Sequence, residues 1–296
     1  MSDPGLMRGL PLLTIVRRRQ RLIDRSLRLA FVVVLVLFTI FRPVPMGDGH
    51  AYWAVDITNP YTRAVATPDA FTYPPPAALF FSVLGHLPFE VFEALWTLLI
   101  GFALLWLTGP FALLFLVLPV VASDLYLGNI HVLLGAAVVG SLRRPGLWAI
   151  PLLTKPTVGI GLLWYVVRGE WRRLTVALAV TAVLAAVAFV LAPSLWQQWI
   201  NYILATGVSP NVGSAYYVPL PLLLRLPAAA LLVIWGARTN RPWTLPTAAM
   251  LGLPVLWLVG LAMLTATFAV SAWGPLHARA LAWMSSRNRG AHALAK

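Results

Sequence analysis

Several uninterrupted apolar runs dominate this chain, and they constrain its fold more than any other feature. Residues 89–107 and 174–191 each approach the roughly 20 residues that an α-helix needs to cross a bilayer. Backbone polar groups inside a bilayer must be satisfied within the segment itself, so such runs form helices. The runs are continuous rather than alternating, which disfavours a membrane β-barrel. We therefore predict an all-α, polytopic integral membrane protein.

The composition excludes several other classes of protein. The chain is 60% hydrophobic and only 10% charged, whereas an ordinary soluble domain has about a quarter charged residues. It contains no cysteine, which removes disulfides, thiolate nucleophiles and cysteine-based metal sites. A net charge of +13 can indicate nucleic-acid binding, but here the basic residues mostly flank apolar runs. Membrane orientation and anionic headgroups explain this charge better, so we expect membrane lipids and no nucleic acid as partners.

The arginines orient the predicted segments, because cytoplasmic loops of membrane proteins are rich in Lys and Arg. A basic arm at residues 1–28 precedes the apolar run 29–41, which we predict as the first membrane helix, with a cytoplasmic N terminus. A signal peptide is the alternative, but no small-residue cleavage site follows the run. We predict a single domain over residues 1–296, with about eight to ten membrane segments, some of them half-length.

The apolar stretch between Arg143 and Arg168 lies between two arginine clusters. If both clusters are cytoplasmic, the stretch must leave and return, and at about 1.5 Å per residue each arm reaches only the midplane. The turn is then Thr154-Lys155-Pro156, in a broken helix of the kind allowed only where it lines a cavity. Counting back from a cytoplasmic Arg143, the enrichment of Lys and Arg in cytoplasmic loops places residues 124–131 on the outer face. Residues 76–87 must then fold back within the outer leaflet rather than cross. If residues 76–87 cross instead, Arg143 lies outside.

The longest polar interval in the first half of the chain is residues 47–76, which hold three of the nine acidic residues. We interpret residues 43–75 as the first extracytoplasmic loop and as the catalytic loop. Asp48 lies just past the outer end of the first helix, where a carboxylate can act as general base toward an incoming hydroxyl. A solvated carboxylate at a helix end is the alternative. Residues 193–218 form a second outer loop, with a predicted interfacial helix carrying Trp196, Trp199 and Tyr202.

Lys155 is the second candidate site residue. It is one of only two lysines in the chain, and a charged side chain at membrane depth costs at least about 2.5 kcal/mol. We predict that Lys155 neutralises the phosphate of an anionic lipid inside a cavity; snorkelling to the interface is the alternative. Arg63 and His131 are further candidates for the same phosphate, although loop arginines are often simply solvated.

A third set of side chains suits a sugar or an acceptor, because it combines hydrogen-bonding groups with aromatic rings. The aromatic rings can stack on a sugar ring; the alternative is that they belong to the aromatic belt found at membrane surfaces. A metal would need more ligands than Asp124 and His131 supply, so we predict none. Gly-rich phosphate loops, Walker motifs and serine nucleophile elbows are missing from the sequence, so we expect no cofactor. The candidate sugar-binding or acceptor-binding residues are His50, Tyr52, Tyr61, Tyr73, Asp124 and Asn129.

Five motifs follow one another along the chain: Asp48-Gly-His-Ala-Tyr-Trp, Asn59-Pro60-Tyr61, Phe71-Thr72-Tyr73-Pro74-Pro75, Leu127-Gly128-Asn129-Ile130 and Thr154-Lys155-Pro156. In this order, after a basic N terminus and a first helix, they resemble glycosyltransferase family 87, the polyprenyl-phosphate-mannose-dependent α-mannosyltransferases of the GT-C fold. The resemblance implies a GT-C-like helical bundle, with Asp48 as catalytic base and with Lys155 and residues 128–131 bordering the donor cavity. The pair Gly128-Asn129 departs from the Gly-Gln pair usual in the family, and the chain is short for it. The resemblance covers roughly residues 25–215.

The resemblance also implies a reaction. A hexose, mannose first of all, moves with inversion from a polyprenyl-phosphate sugar donor to a lipid or glycan acceptor, on the extracytoplasmic side of a bacterial plasma membrane, in cell-envelope glycolipid synthesis. One carboxylate suffices because a phosphate leaving group needs charge stabilisation rather than a general acid. A transporter or lipid flippase that uses Asp124 and Lys155 in a broken-helix site is the alternative, although internal repeats are missing. A non-catalytic scaffold is a second alternative.

Overall fold

The computed structural model describes residues 5–207 and 216–277, and its regular structure is helical. Short 3-10 helices cover Gly109–Phe111, Pro145–Trp148, Pro156–Leu162 and Leu258–Met263. Within the two described ranges there is no strand, only an isolated bridge between Tyr217 and Trp257. The predicted all-α class is confirmed. The α-helices are α1 (Gly5–Ile40), α2 (Gly47–Trp53), α3 (Pro75–Leu84), α4 (Phe89–Thr108), α5 (Ala112–Leu116), α6 (Pro119–Leu127), α7 (His131–Ser141), α8 (Ala149–Leu152), α9 (Leu163–Val167), α10 (Trp171–Leu191), α11 (Pro193–Thr206), α12 (Leu222–Arg238), α13 (Thr244–Leu251) and α14 (Leu264–Val270).

Among residues 5–207 and 216–277, two helical stretches are long and apolar enough to cross a membrane. They are Phe89–Leu116, which contains α4, and Trp171–Leu191, which is α10. The pair α6 and α7 would form a third span, bent by 103°. Shorter apolar helices accompany them, among them α3. The chain is therefore a polytopic integral membrane protein, as predicted, while the number of eight to ten segments stays a prediction.

The helix boundaries differ from the sequence prediction in two places. Helix α1 begins at Gly5 rather than near residue 29, because the Leu, Arg and Gln of the basic arm are good helix formers. Helix α6 continues through Asp124 to Leu127, so of residues 124–131, which the sequence analysis placed on the outer face, only the turn at residues 128–130 is not helical. The apolar run at residues 245–273, which could hold one long span or two short ones, breaks between α13 and Leu258–Met263.

The helix that precedes Lys155 breaks where the sequence predicts. Helix α8 ends at Leu152, and the next 3-10 helix begins at Pro156. Proline favours such a start, because its missing N–H would have no helical partner there. The backbone N–H of Lys155 itself donates to the Pro151 carbonyl at 2.7 Å. Lys155 therefore lies between two short helices rather than inside one.

Helix α11 covers the first loop. It is helical as predicted, and its Trp199 Nε1 donates to the Thr72 carbonyl at 3.3 Å. The ring of Tyr202 lies 5.8 Å from that of Tyr61, centroid to centroid. The α11 part of the second predicted outer loop thus packs on the first loop, while residues 208–215 of that prediction lie outside the described residues. The assignment of both loops to the extracytoplasmic side, like that of residues 1–28 to the cytoplasm, stays a prediction.

Candidate active site

Asp48 lies near the start of the short helix α2, where it meets the turn between α6 and α7. The amide Nδ2 of Asn129 donates to Asp48 Oδ2 at 2.5 Å. The other end of that amide is also fixed, because Asn129 Oδ1 accepts the backbone N–H of Ile130 at 2.8 Å. Asn129 is buried and therefore presents a set geometry to the carboxylate.

Two glycines allow this contact. Gly128 ends α6 in the left-handed conformation, with φ of 70° and ψ of 32°, which favours glycine. A Cβ on Gly128 would lie 2.4 Å from Met46 Sδ and 3.2 Å from the Cα of Gly49, and a Cβ on Gly49 would also clash with Met46. The backbones on either side of Asp48 and Asn129 can approach this closely only because both positions lack side chains.

The entry to α2 is held by residues that the sequence analysis missed. Glu93 Oε1, from α4, accepts the backbone N–H of Met46 at 2.8 Å and pairs with Arg42 Nε at 3.1 Å. The Arg42 guanidinium lies 5.2 Å from the Phe38 ring and 5.3 Å from the Tyr126 ring. The available signal was a carboxylate inside an apolar helix, because Glu93 is one of only nine acidic residues in the chain.

A buried tyrosine pair extends the contact between Asp48 and Asn129 toward Lys155. Tyr52 donates to Asn129 Oδ1 at 3.4 Å, and its hydroxyl lies 2.9 Å from that of Tyr73. Lys155 Nζ lies over the Tyr73 ring, 5.5 Å from its centroid. The structure thus brings together five residues that the sequence singled out, from three separate parts of the chain.

Asp124 and His131 form a second buried group beside the first. Both side chains are fully buried, with His131 Nδ1 3.0 Å from Asp124 Oδ1. The other carboxylate oxygen accepts the backbone N–H of Val132 at 3.0 Å. When Nδ1 donates to Asp124, the remaining nitrogen Nε2 is an acceptor, and it has no partner among the described residues. The same part of the chain contains no group of three or more side chains suited to a metal ion.

The surroundings of Asp48 act on its pKa in opposite directions. Burial raises the pKa of Asp48 above its ordinary value, and this effect is the largest. The hydrogen bond from Asn129 and the positive charge of Lys155 lower that pKa, while the carboxylate of Asp124 raises it. The net result is a raised pKa, which makes the Asp48 carboxylate a better proton acceptor than a solvated one.

Three predicted site residues lie elsewhere in the loop. His50 Nδ1 is 2.6 Å from Asp69 Oδ1, and Arg63 Nη1 is 3.3 Å from Asp69 Oδ2. The Tyr61 hydroxyl donates to the Tyr73 carbonyl at 2.9 Å. These side chains hold the loop in shape, and none of the three has a described contact with Asp48 or Lys155.

A largely apolar cavity of about 990 Å³ begins beside this network. Its walls include Ile130 and Thr154, which belong to two of the motifs, and Pro76, which directly follows a third. Neither Asp48 nor Lys155 lines the cavity itself. From this end the cavity extends between α3, α4, α7 and α10 as far as Arg143 and Arg144.

Comparison with known proteins gives one match. A model of the family described as glycosyltransferase family 87 matches residues 71–288, more than half of the chain. The matched range includes Tyr73, Asn129, His131 and Lys155 but begins after Asp48. No curated protein and no solved structure matches the chain.

Proposed function

Since the chain belongs to glycosyltransferase family 87, and is thus an integral membrane glycosyltransferase, we propose that it transfers a hexose from a polyprenyl-phosphate sugar. Mannose is our first choice of sugar, and a lipid or a glycan is the acceptor. The family match favours an enzyme over the transporter and scaffold alternatives. Orientation in a bacterial plasma membrane with an extracytoplasmic site, within a single domain, belongs to the same proposal.

Asp48 acts as the general base in this proposal, and its contact with Asn129 is the observation that carries it. The Asp48 carboxylate takes the proton of the acceptor hydroxyl while that oxygen bonds to the anomeric carbon. The bond from the anomeric carbon to the phosphate oxygen breaks, and its electron pair leaves with the polyprenyl phosphate. Attack opposite the leaving group inverts the anomeric configuration.

Lys155 stabilises the phosphate that leaves. Its ammonium group is cationic, it acts electrostatically on Asp48, and it is held over the Tyr73 ring. A fixed positive charge placed where negative charge develops is usually the largest contribution to such a step. Arg63 has Asp69 as its partner, so fixing the loop fits its position better than the phosphate contact predicted from sequence.

Asp124, His131 and the tyrosine pair serve the sugar. With Nδ1 bonded to Asp124, the free Nε2 of His131 accepts a hydrogen bond, which suits a sugar hydroxyl better than a phosphate oxygen. We therefore move His131 from the phosphate to the sugar in this proposal, with Asp124 holding the ring. The prenyl chain of the donor enters the apolar cavity at Pro76 and Ile130.

A transfer assay tests the proposed function. Purified protein is given polyprenyl-phosphate mannose, polyprenyl-phosphate glucose or a nucleotide sugar, together with glycolipid acceptors. We expect transfer from the polyprenyl-phosphate donor alone, with the anomeric configuration inverted in the product. Transfer from the nucleotide sugar, or retention of configuration, would contradict the proposal.

A further inference from the structure

The far end of the apolar cavity differs from the end beside Asp48. Ile130 and Gly140 both line the cavity, so it follows α7 for about 15 Å at the helical rise of 1.5 Å per residue. Beyond the end of α7 its wall is formed by Arg143 and Arg144. A largely apolar passage therefore ends at two guanidinium groups, away from the network around Asp48.

The side chains of Arg143 and Arg144 are not used to hold the fold. Both residues are exposed, and in the part of the chain that the structure describes neither guanidinium has a hydrogen-bond or ion-pair partner. Neighbouring arginines behave differently. Arg173 is buried and donates to the Leu142 carbonyl at 2.7 Å, and Arg168 pairs with Glu170 at 2.9 Å. Two guanidinium groups with no partner among the described residues thus adjoin a largely apolar surface.

We propose that Arg143 and Arg144 bind the headgroup of an anionic phospholipid, with one acyl chain in the adjoining part of the cavity. Guanidinium groups bind phosphate oxygens with paired hydrogen bonds, and an anionic headgroup is preferred over a zwitterionic one because no ammonium group offsets the charge of its phosphate. A phospholipid supplies both the anion and the apolar chain, and it comes from the leaflet at this end of the protein. This site goes beyond the proposed reaction and does not depend on it.

Quenching of Trp106 measures this binding, because Trp106 lines the cavity. The protein is reconstituted in phosphatidylcholine bilayers with a small fraction of phosphatidylglycerol or phosphatidylcholine brominated on the acyl chains. The fluorescence of Trp106 is obtained by subtracting the fluorescence of Trp106→Phe from that of the unmodified protein. We expect phosphatidylglycerol to be preferred on the order of 30-fold, since each basic residue near an anionic lipid contributes roughly fivefold.

Two double variants separate this site from general surface charge. Arg143→Gln with Arg144→Gln removes the proposed headgroup contacts and should bring the preference close to one. Arg238→Gln with Arg241→Gln removes the same charge at exposed positions that do not line the cavity. This control should keep the preference of the unmodified protein. Equal quenching by both lipids in the unmodified protein, or an equal loss in the control, would overturn the proposal.

Discussion

At the scale of single residues, the reactivity of Asp48 depends on the side chains that surround its carboxylate. Burial raises the pKa of Asp48, and the hydrogen bond from Asn129 at 2.5 Å is the largest of the effects that lower it. The base must be deprotonated to act, so the proposed rate rises with pH as the pH passes this pKa. Asn129 therefore sets where the acidic side of the pH–rate profile lies.

Replacement of Asn129 by Ala should move the acidic side of that profile to higher pH. A hydrogen bond to a charged group contributes about 1.5–3 kcal/mol, so we expect a shift of about one pH unit or more. The measurement is the rate of transfer against pH. Asn201→Ala, at an exposed position on α11, is the control and should leave the profile in place. If the pH–rate profile of Asn129→Ala matches that of the control, the hydrogen bond from Asn129 does not set the pKa of the catalytic base.

Replacement of Lys155 by Met should mainly weaken catalysis with the phosphate donor. Loss of one group that stabilises developing negative charge typically lowers kcat by about 10²–10³-fold. Lys155→Arg keeps the positive charge and should retain more of the rate than Lys155→Met. Steady-state kinetics with varied donor concentration compare the two variants. Equal rates in both would show that the charge of Lys155 plays no part.

The sequence identified most of these residues but not their partners. Asp48 and Lys155 stood out because charged side chains are rare in so apolar a chain. The contact of Asp48 with Asn129 joins positions 81 residues apart, and no local pattern encodes it. The sequence analysis missed Glu93, because only the fold brings Met46 and Arg42 to its carboxylate.

At the scale of elements, α2 is short and depends on α4 for its position. The carboxylate of Glu93 holds both the backbone N–H that precedes α2 and the guanidinium of Arg42. The Arg42 side chain is only 4% exposed, so this ion pair is mostly out of water. Removal of one partner of a buried pair leaves the other charge uncompensated and destabilises the fold.

Replacement of Glu93 by Ala should therefore lower both stability and rate. We expect a loss of about 3 kcal/mol in the free energy of unfolding, together with a lower kcat because Asp48 loses its support. Glu93→Gln keeps an acceptor for Met46 and should retain more activity than Glu93→Ala. Glu90→Ala, exposed on the same helix, is the control. Thermal unfolding and transfer rates provide the comparison, and equal behaviour of Glu93→Ala and Glu90→Ala would contradict it.

Sequence patterns located some element boundaries better than others. The break before Pro156 follows from proline chemistry, and α4, α10 and α11 follow from their apolar and aromatic patterns. The bend of 103° between α6 and α7 could not be predicted, because the sequence analysis placed residues 124–131 together on the outer face and gave no sign that α6 continues to Leu127. In the fold the Asp124 carboxylate is satisfied by His131 and a backbone N–H, so the helix can continue through it.

At the scale of the whole molecule, the proposed topology puts Asp48 and Arg143 at opposite faces of the membrane. The cavity runs from the network beside Asp48 to the two arginines, and the positive-inside rule assigns the arginine end to the cytoplasm. The all-helical membrane class could be predicted from apolar run length alone. The path of the short helices could not, because runs shorter than a full span do not reveal whether they cross or fold back.

Single introduced cysteines test this orientation without background, since the chain contains none. Thr58→Cys lies in the loop after Asp48, and Arg144→Cys lies at the far end of the cavity. We expect a membrane-impermeant maleimide to label Thr58→Cys in intact cells or spheroplasts, and Arg144→Cys only after the membrane is opened. Labelling of both from the same side would reject the proposed topology.

The central claim is that the Asp48 carboxylate accepts the proton of the acceptor. The most direct measurement is single-turnover sugar transfer by Asp48→Asn, with donor binding and thermal unfolding measured on the same preparation. The account predicts that this variant folds and binds the polyprenyl-phosphate donor but forms no product. Product formation at a rate close to that of the unmodified protein would contradict it.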